Sequence, residues 1–121
     1  MKYPDDFINK IICGDCLEFM KQIPDKSVDL VLTDPPYGIT ACDWDKLPDF
    51  TALWAELKRI GKDNCAYVFT ASQPFTTDLI NSNRDWFVEE LIWLKNKSGS
   101  GFNTNKKHIK IHENIIIFRK K

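Results

Sequence analysis

The chain has 121 residues, 17 acidic and 17 basic side chains balancing to no formal net charge, and 43% hydrophobic residues. That length holds one domain with a real core and leaves little room for a separate recognition module; the charge balance argues against a whole-surface electrostatic footprint for nucleic acid. The first residues lack the charged-then-apolar layout of a signal peptide, and no apolar run approaches membrane-spanning length, so a cytoplasmic protein with no membrane partner is expected.

In chain order, residues 8–13 read as a first short strand, broken by Gly14-Asp15. Residues 16–22 then give one or two helical turns with Leu17 and Met20 on one face. Pro24-Asp25-Lys26-Ser27 is a turn, and residues 28–33 form a second, buried strand that Pro35-Pro36 stops. Residues 39–48 have no period and form a loop over the end of that strand; Trp44 within it is either a stacking residue or a loop anchor. Asp49 is placed to cap a helix running to Ile60, with Leu53, Trp54, Leu57 and Ile60 on one face and Gly61 ending it. Residues 65–70 are a third strand, residues 71–74 turn into a short helix through Ser82, residues 87–94 are a fourth strand, residues 98–103 a loop, and residues 114–118 a fifth strand. Strands alternating with helices indicate a parallel sheet, and the last two strands, with no helix between them, should pair antiparallel.

The stretch Asp34-Pro35-Pro36-Tyr37-Gly38 carries the chemistry. It brings a carboxylate, backbone carbonyls with no competing prolyl N–H and an aromatic ring to the C-terminal end of a strand, where ligands sit in open α/β sheets. Asp-Pro is also a common turn opener, but two fixed φ angles followed at once by an aromatic and a glycine are more than a turn requires.

Four cysteines stand at 13, 16, 42 and 65. Cys13-Gly14-Asp15-Cys16 lacks the second matched pair of a zinc site, so structural thiols and no metal are expected. From Lys95 onward the chain holds Lys95, Lys97, Lys106, Lys107, Lys110, Arg119, Lys120 and Lys121 against Glu113 alone. This asymmetry suits phosphate contacts; a solvated basic tail suits it nearly as well.

The ordered blocks Ile12-Cys13-Gly14-Asp15-Cys16-Leu17-Glu18, Val28-Asp29-Leu30-Val31-Leu32-Thr33-Asp34-Pro35-Pro36-Tyr37-Gly38, Trp44-Asp45, Ser72-Gln73-Pro74-Phe75, Trp93-Leu94-Lys95-Asn96 and His112-Glu113-Asn114-Ile115 resemble the S-adenosyl-L-methionine-dependent DNA amino-methyltransferases of permuted motif order, the β group, including phage and prophage enzymes. The resemblance implies transfer of a methyl group from S-adenosyl-L-methionine to N6 of an adenine flipped out of double-stranded DNA. Asp34 and the Pro35 carbonyl would accept the two amino hydrogens, Pro35-Pro36 would hold them rigid, and Tyr37 would stack on the base. Aspartate at the head of the motif favours adenine N6 over cytosine N4. Asp15 matches a position near the adenine end of the cofactor and equally suits a helix cap. Asn103, Lys106, Lys107 and His108 would face DNA.

The family's Phe-x-Gly-x-Gly cofactor segment has no counterpart up to Lys121, and Gly99-Ser100-Gly101 reads as a loop hinge. The resemblance therefore implies the N-terminal catalytic part alone, one region over residues 1–121: a partial Rossmann-like α/β methyltransferase fold, mostly parallel and ending in an antiparallel pair, without the cofactor-loop strands. The strand before Asp34 would then carry a bare apolar edge, open to a complementary C-terminal fragment. The alternatives are an inactive truncated remnant that binds DNA weakly, or transfer to cytosine N4, RNA or protein.

Overall fold

The computed structural model describes residues 1–97 and 105–121. Its elements are α1 (Cys16–Met20), β1 (Val28–Thr33), α2 (Phe50–Ile60), β2 (Gly61–Ala71), α3 (Phe75–Ser82), a 3-10 turn (Arg84–Trp86), β3 (Phe87–Leu94) and β4 (His112–Arg119). The four strands form one sheet in the order β1-β2-β4-β3. β1 and β2 pair parallel, and β4 runs antiparallel to both β2 and β3, so three strands point one way and β4 alone points back. The expected antiparallel last pair is present, with β4 inserted between β2 and β3. Among the described residues no helix is long and apolar enough to cross a membrane.

One face of the sheet is built as a core. Cys65, Tyr67, Phe69 and Ala71 of β2 and Ile116 and Phe118 of β4 alternate inward and are buried, as the two-residue period of a strand requires. Over them lie Trp54, Leu57 and Ile60 of α2 with Phe75 and Leu79 of α3. The α2 helix starts where the sequence places it, with the Asp49 carboxylate accepting from Ala52 N at 3.1 Å. Arg59 braces α1 against α2 by donating to the Met20 and Ile23 carbonyls at 2.7 and 2.8 Å and pairing with Asp25 at 2.6 Å. Beside the sheet, Thr76 donates to buried Asn114, which donates in turn to Glu90, tying α3 to β4 and β3.

Among the described residues no helix covers the other face. Leu30 and Leu32 on β1 and Leu91 and Trp93 on β3 are exposed. Among the described residues β1 stands at one edge of the sheet.

Residues 8–13 do not form the predicted strand. The chain turns through Asp6 N to Lys2 O and Ile8 N to Pro4 O, continues irregularly, and leaves Ile8 and Ile11 exposed. A strand satisfies its backbone only through a neighbour, and among the described residues no strand of the sheet pairs with this segment. The α1 helix is also shorter than predicted, closing with Gln22 N to Phe19 O and Ile23 N to Met20 O. β2 is longer, because α2 runs into it with no connecting loop.

That join requires a glycine. A Cβ on Gly61 would stand 2.0 Å from the Tyr67 hydroxyl oxygen and 3.1 Å from the Leu57 carbonyl, and the hydroxyl itself donates to that carbonyl at 3.2 Å. Gly61→Ala is expected to destabilise the fold by about 1–3 kcal/mol in urea denaturation, the usual range for overpacking. A change within about 0.5 kcal/mol, typical of an uninvolved surface site, would contradict this packing.

Candidate active site at the C-terminal edge of the sheet

Strand direction gathers the site. The C-terminal ends of β1, β2 and β3 and the N-terminal end of β4 meet at one edge. The register sets Thr33 opposite Phe69, so Asp34 comes beside Thr70; it sets Ala71 opposite Asn114, so Glu113 falls just beyond the end of β2.

The Thr70 hydroxyl donates to Asp34 Oδ1 at 2.5 Å, and the Tyr37 hydroxyl lies 3.1 Å from the same oxygen, 2.9 Å from Thr70 Oγ1 and 3.3 Å from Glu113 Oε1. A phenol has one proton to give, so these contacts compete for it. Burial, and then the Asp34 and Glu113 carboxylates, push the Tyr37 hydroxyl well above its ordinary pKa, which keeps it a donor at neutral pH. The Tyr37 ring stacks on Phe75, centroids 5.1 Å apart, and Phe75 stacks on Phe50 at 5.9 Å. Tyr37 is half-buried and braced by the core, yet remains a wall of the site. Among the described residues no hydrogen bond reaches Asp34 Oδ2.

Asp34, Pro35, Pro36, Tyr37, Trp44 and Glu113 border a cavity of about 390 Å³. Of the two sequence readings of Trp44, the anchor is not realised: its indole is exposed on the cavity rim. The anchor is its neighbour. The Asp45 carboxylate accepts from the backbone N–H groups of Gly38, Ile39 and Thr40 at 2.8, 3.0 and 2.7 Å, and Gly38 makes the bend possible with φ of +69°. The Thr40 hydroxyl, followed by these N–H groups, holds the Asp45 carboxyl down at about 2. The folded loop thus favours the ionised form. Its stabilisation is complete above the ordinary aspartate value of about 4 and is lost as pH falls toward about 2. A carboxyl-carbon NMR titration should give a midpoint near 2 for Asp45; a midpoint near the ordinary value would contradict the knot.

Across the segment from that cavity lies another of about 370 Å³, walled by Cys16, Met20, Val31, Leu53, Leu57 and Phe69 and touching Asp34-Pro35-Pro36. Asp34 is its one charged lining residue. Asp15 caps α1, its carboxylate accepting from Leu17 N at 2.8 Å, and does not line this cavity. Lys106, Lys107 and His108 are exposed and border neither cavity, while Asn103 and the 98–103 loop with Gly99 and Gly101 lie outside the described residues. Of the cysteines, Cys65 alone is in the core; Cys13, Cys16 and Cys42 are exposed, which corrects their reading as structural thiols. Thr70, Asp45 and Glu113 are the site residues that the sequence reading did not single out for a role.

No protein-family model matches the chain. It is 33% identical over 117 residues to the type II methyltransferase M.HinfI of Haemophilus influenzae, spanning 75% of this chain and 33% of that protein. It is 32% identical over 127 residues to the type II methyltransferase M1.MboII of Moraxella bovis, spanning 93% of this chain and 46% of that protein. Among solved structures, the cytosine-N4-specific PvuII DNA methyltransferase superposes with a TM-score of 0.67 at 16% identity, over 89% of this chain and 48% of that one. The M1.HpyAVI–SAM complex superposes with a TM-score of 0.59 at 18% identity, over 86% and 50%. The chain thus spans a third to a half of the length of these two curated relatives. The sheet order, the Asp34-Pro35-Pro36-Tyr37 edge and these likenesses agree: the chain belongs to the DNA methyltransferase family.

Proposed function

We propose that this chain is the target-base half of an S-adenosyl-L-methionine-dependent DNA methyltransferase acting on the N6 amino group of adenine. The observation that carries the reading is the Asp34 carboxylate, fixed through Oδ1 by Thr70 at 2.5 Å beside Pro35 on the wall of an aromatic-lined cavity. An exocyclic amine is a poor nucleophile because its lone pair is delocalised into the ring. Asp34 and the Pro35 carbonyl accept its two hydrogens and draw the nitrogen toward a pyramidal geometry. The gain is positioning and electrostatics, with no covalent intermediate. Trp44 on the rim and Tyr37, backed by Phe75, hold a base that has left the duplex. Aspartate at the head of the motif favours adenine over cytosine.

The cofactor supplies the methyl group. The described residues do not suffice to hold it: the apolar cavity beside α1 offers one carboxylate and no cradle for ribose hydroxyls or a methionine head group, and Asp15 accepts from Leu17 N as a cap. The remainder of the site comes from a complementary C-terminal part, which covers the bare face and the β1 edge; the fraction of each relative left unmatched is large enough to supply it. Residues 1–121 then act as one catalytic region, in the cytoplasm with the DNA.

The test is product analysis. The chain completed by its complementary half is incubated with duplex DNA and radiolabelled cofactor, and the DNA is digested to nucleosides. Label in N6-methyladenine is expected. Label in N4-methylcytosine would move the acceptor, and label entering RNA or protein in place of DNA would overturn the reading.

A further inference from the structure

We propose that the site has a built-in phosphate pocket, formed by Lys97, Lys110 and Ser72, which takes a DNA phosphodiester next to the flipped nucleotide. A cavity of about 280 Å³ adjoins the base cavity and shares Tyr37, Ile39 and Glu113 with it as walls. Its other walls include Ser72, Lys95, Lys97, Lys110 and His112. Three lysines and one glutamate therefore line it. Glu113 is matched by Lys95, with which it forms an ion pair, and Lys95 also lies 3.7 Å from the Trp93 ring centroid.

Lys97 and Lys110 form no ion pair among the described residues, leaving two positive charges on the wall. Lys110 is exposed, yet its ammonium has a fixed partner at the cavity. Its ammonium donates to the hydroxyl of Ser72, a buried residue at the end of β2. The ammonium is thus held at the cavity mouth, still open to solvent, by a neutral partner that leaves its charge uncompensated.

The neighbouring cavity says what such a pair of charges is for. A nucleotide carries its phosphate one sugar ring away from its base. A base beside Asp34 and Tyr37 therefore brings its phosphodiester to the far side of the Tyr37–Glu113 wall. Lysines act on phosphate as compact point charges, and contacts of this kind set register without reading sequence. This inference rests on the methyltransferase reading for the identity of the base, and on the cation cavity for the phosphate.

The test uses the 121-residue chain and a labelled single-stranded oligodeoxynucleotide with one adenosine in a thymidine background. Affinity is measured by anisotropy over a range of salt. The same oligonucleotide is made with uncharged methylphosphonate linkages on both sides of the adenosine. In Lys97→Ala/Lys110→Ala the slope of log affinity against log salt is expected to fall by about 1.4, at about 0.7 per single-strand contact. Methylphosphonate should lower the slope for the parent and change nothing further in the variant, while Lys120→Ala/Lys121→Ala should keep the full methylphosphonate effect. Lysine and linkage effects that add independently, a variant with the parent's slope, or no salt-dependent binding by the parent would overturn the pocket. An abasic nucleotide in place of the adenosine separates the two claims. If affinity ignores the missing base while the lysine–linkage coupling holds, the phosphate pocket stands and the base reading falls; base dependence without that coupling has the opposite meaning.

Discussion

Replacing Asp34 by alanine in the completed enzyme is expected to slow methyl transfer by about 10²–10³-fold, or about 2.7–4 kcal/mol, the cost of removing one preorganised electrostatic group from a reacting centre. The expectation follows from how the carboxylate is held. One oxygen is occupied by Thr70 and approached by Tyr37, which fixes the plane of the group before a base arrives. Alanine removes the acceptor and also leaves both hydroxyls without their shared partner. Thr70→Val, which keeps the shape and removes the hydroxyl, should cost less, since the carboxylate remains but loses its orientation. Single-turnover rates at saturating DNA and cofactor check both. An Asp34→Ala enzyme with more than a tenth of the parent rate has lost under about 1.4 kcal/mol, too little for the assigned role.

The largest expected effect on stability is at Trp54. Its indole is 4% exposed and lies against Phe118, Phe69 and Tyr67 at centroid distances of 4.9, 5.4 and 5.8 Å, with Nε1 donating to Ser82 Oγ at 2.8 Å. It is the side chain through which α2 grips both central strands. Trp54→Ala should cost about 3–5 kcal/mol, from lost transfer energy and an unfilled cavity. For a domain stabilised by about 0.05–0.15 kcal/mol per residue, and with one sheet face uncovered, that is a large part of the total. Urea denaturation followed by circular dichroism reads it directly. Ser82→Ala should cost far less, about 1–3 kcal/mol for a buried donor left unsatisfied. A Trp54→Ala loss below about 1 kcal/mol, an average substitution, would mean that α2 is not seated as described.

The parts of this fold that depend on local chemistry are readable from residues alone. The apolar run before Pro35-Pro36 is β1, and Asp49 with the spacing of Leu53, Trp54, Leu57 and Ile60 is α2 and its cap. Residues 8–13 have the composition of a strand and lack a neighbour to pair with, so composition misleads there. The site divides in the same way. Asp34 and Tyr37 are visible because they adjoin in sequence. Thr70 and Glu113 reach them only through strand register, and neither the insertion of β4 nor its alignment on β2 is written in any one segment. Glu113 had a findable signal: an antiparallel last strand must begin at the edge where parallel strands end. Asp45 was hidden because a side chain bonding backbone N–H groups five to seven positions back leaves no period in a loop. Charge alone does not separate Lys110, whose ammonium reaches the Ser72 hydroxyl beside the site, from Lys106 and Lys107, which are equally exposed and line none of these cavities.

The claim on which the account rests is that the carboxylate after β1 and its neighbouring prolyl oxygen grip an amino group. The most direct measurement is the affinity of the completed enzyme for DNA carrying either adenine or purine, which lacks the amino group, at the target position, with Asp34 intact and with Asp34→Ala. Losing the amino group is expected to weaken binding by about tenfold, or 1.4 kcal/mol, when Asp34 is present, and to make no difference once it is gone. Equal binding of adenine and purine by the parent, or an adenine preference that survives in Asp34→Ala, would contradict it.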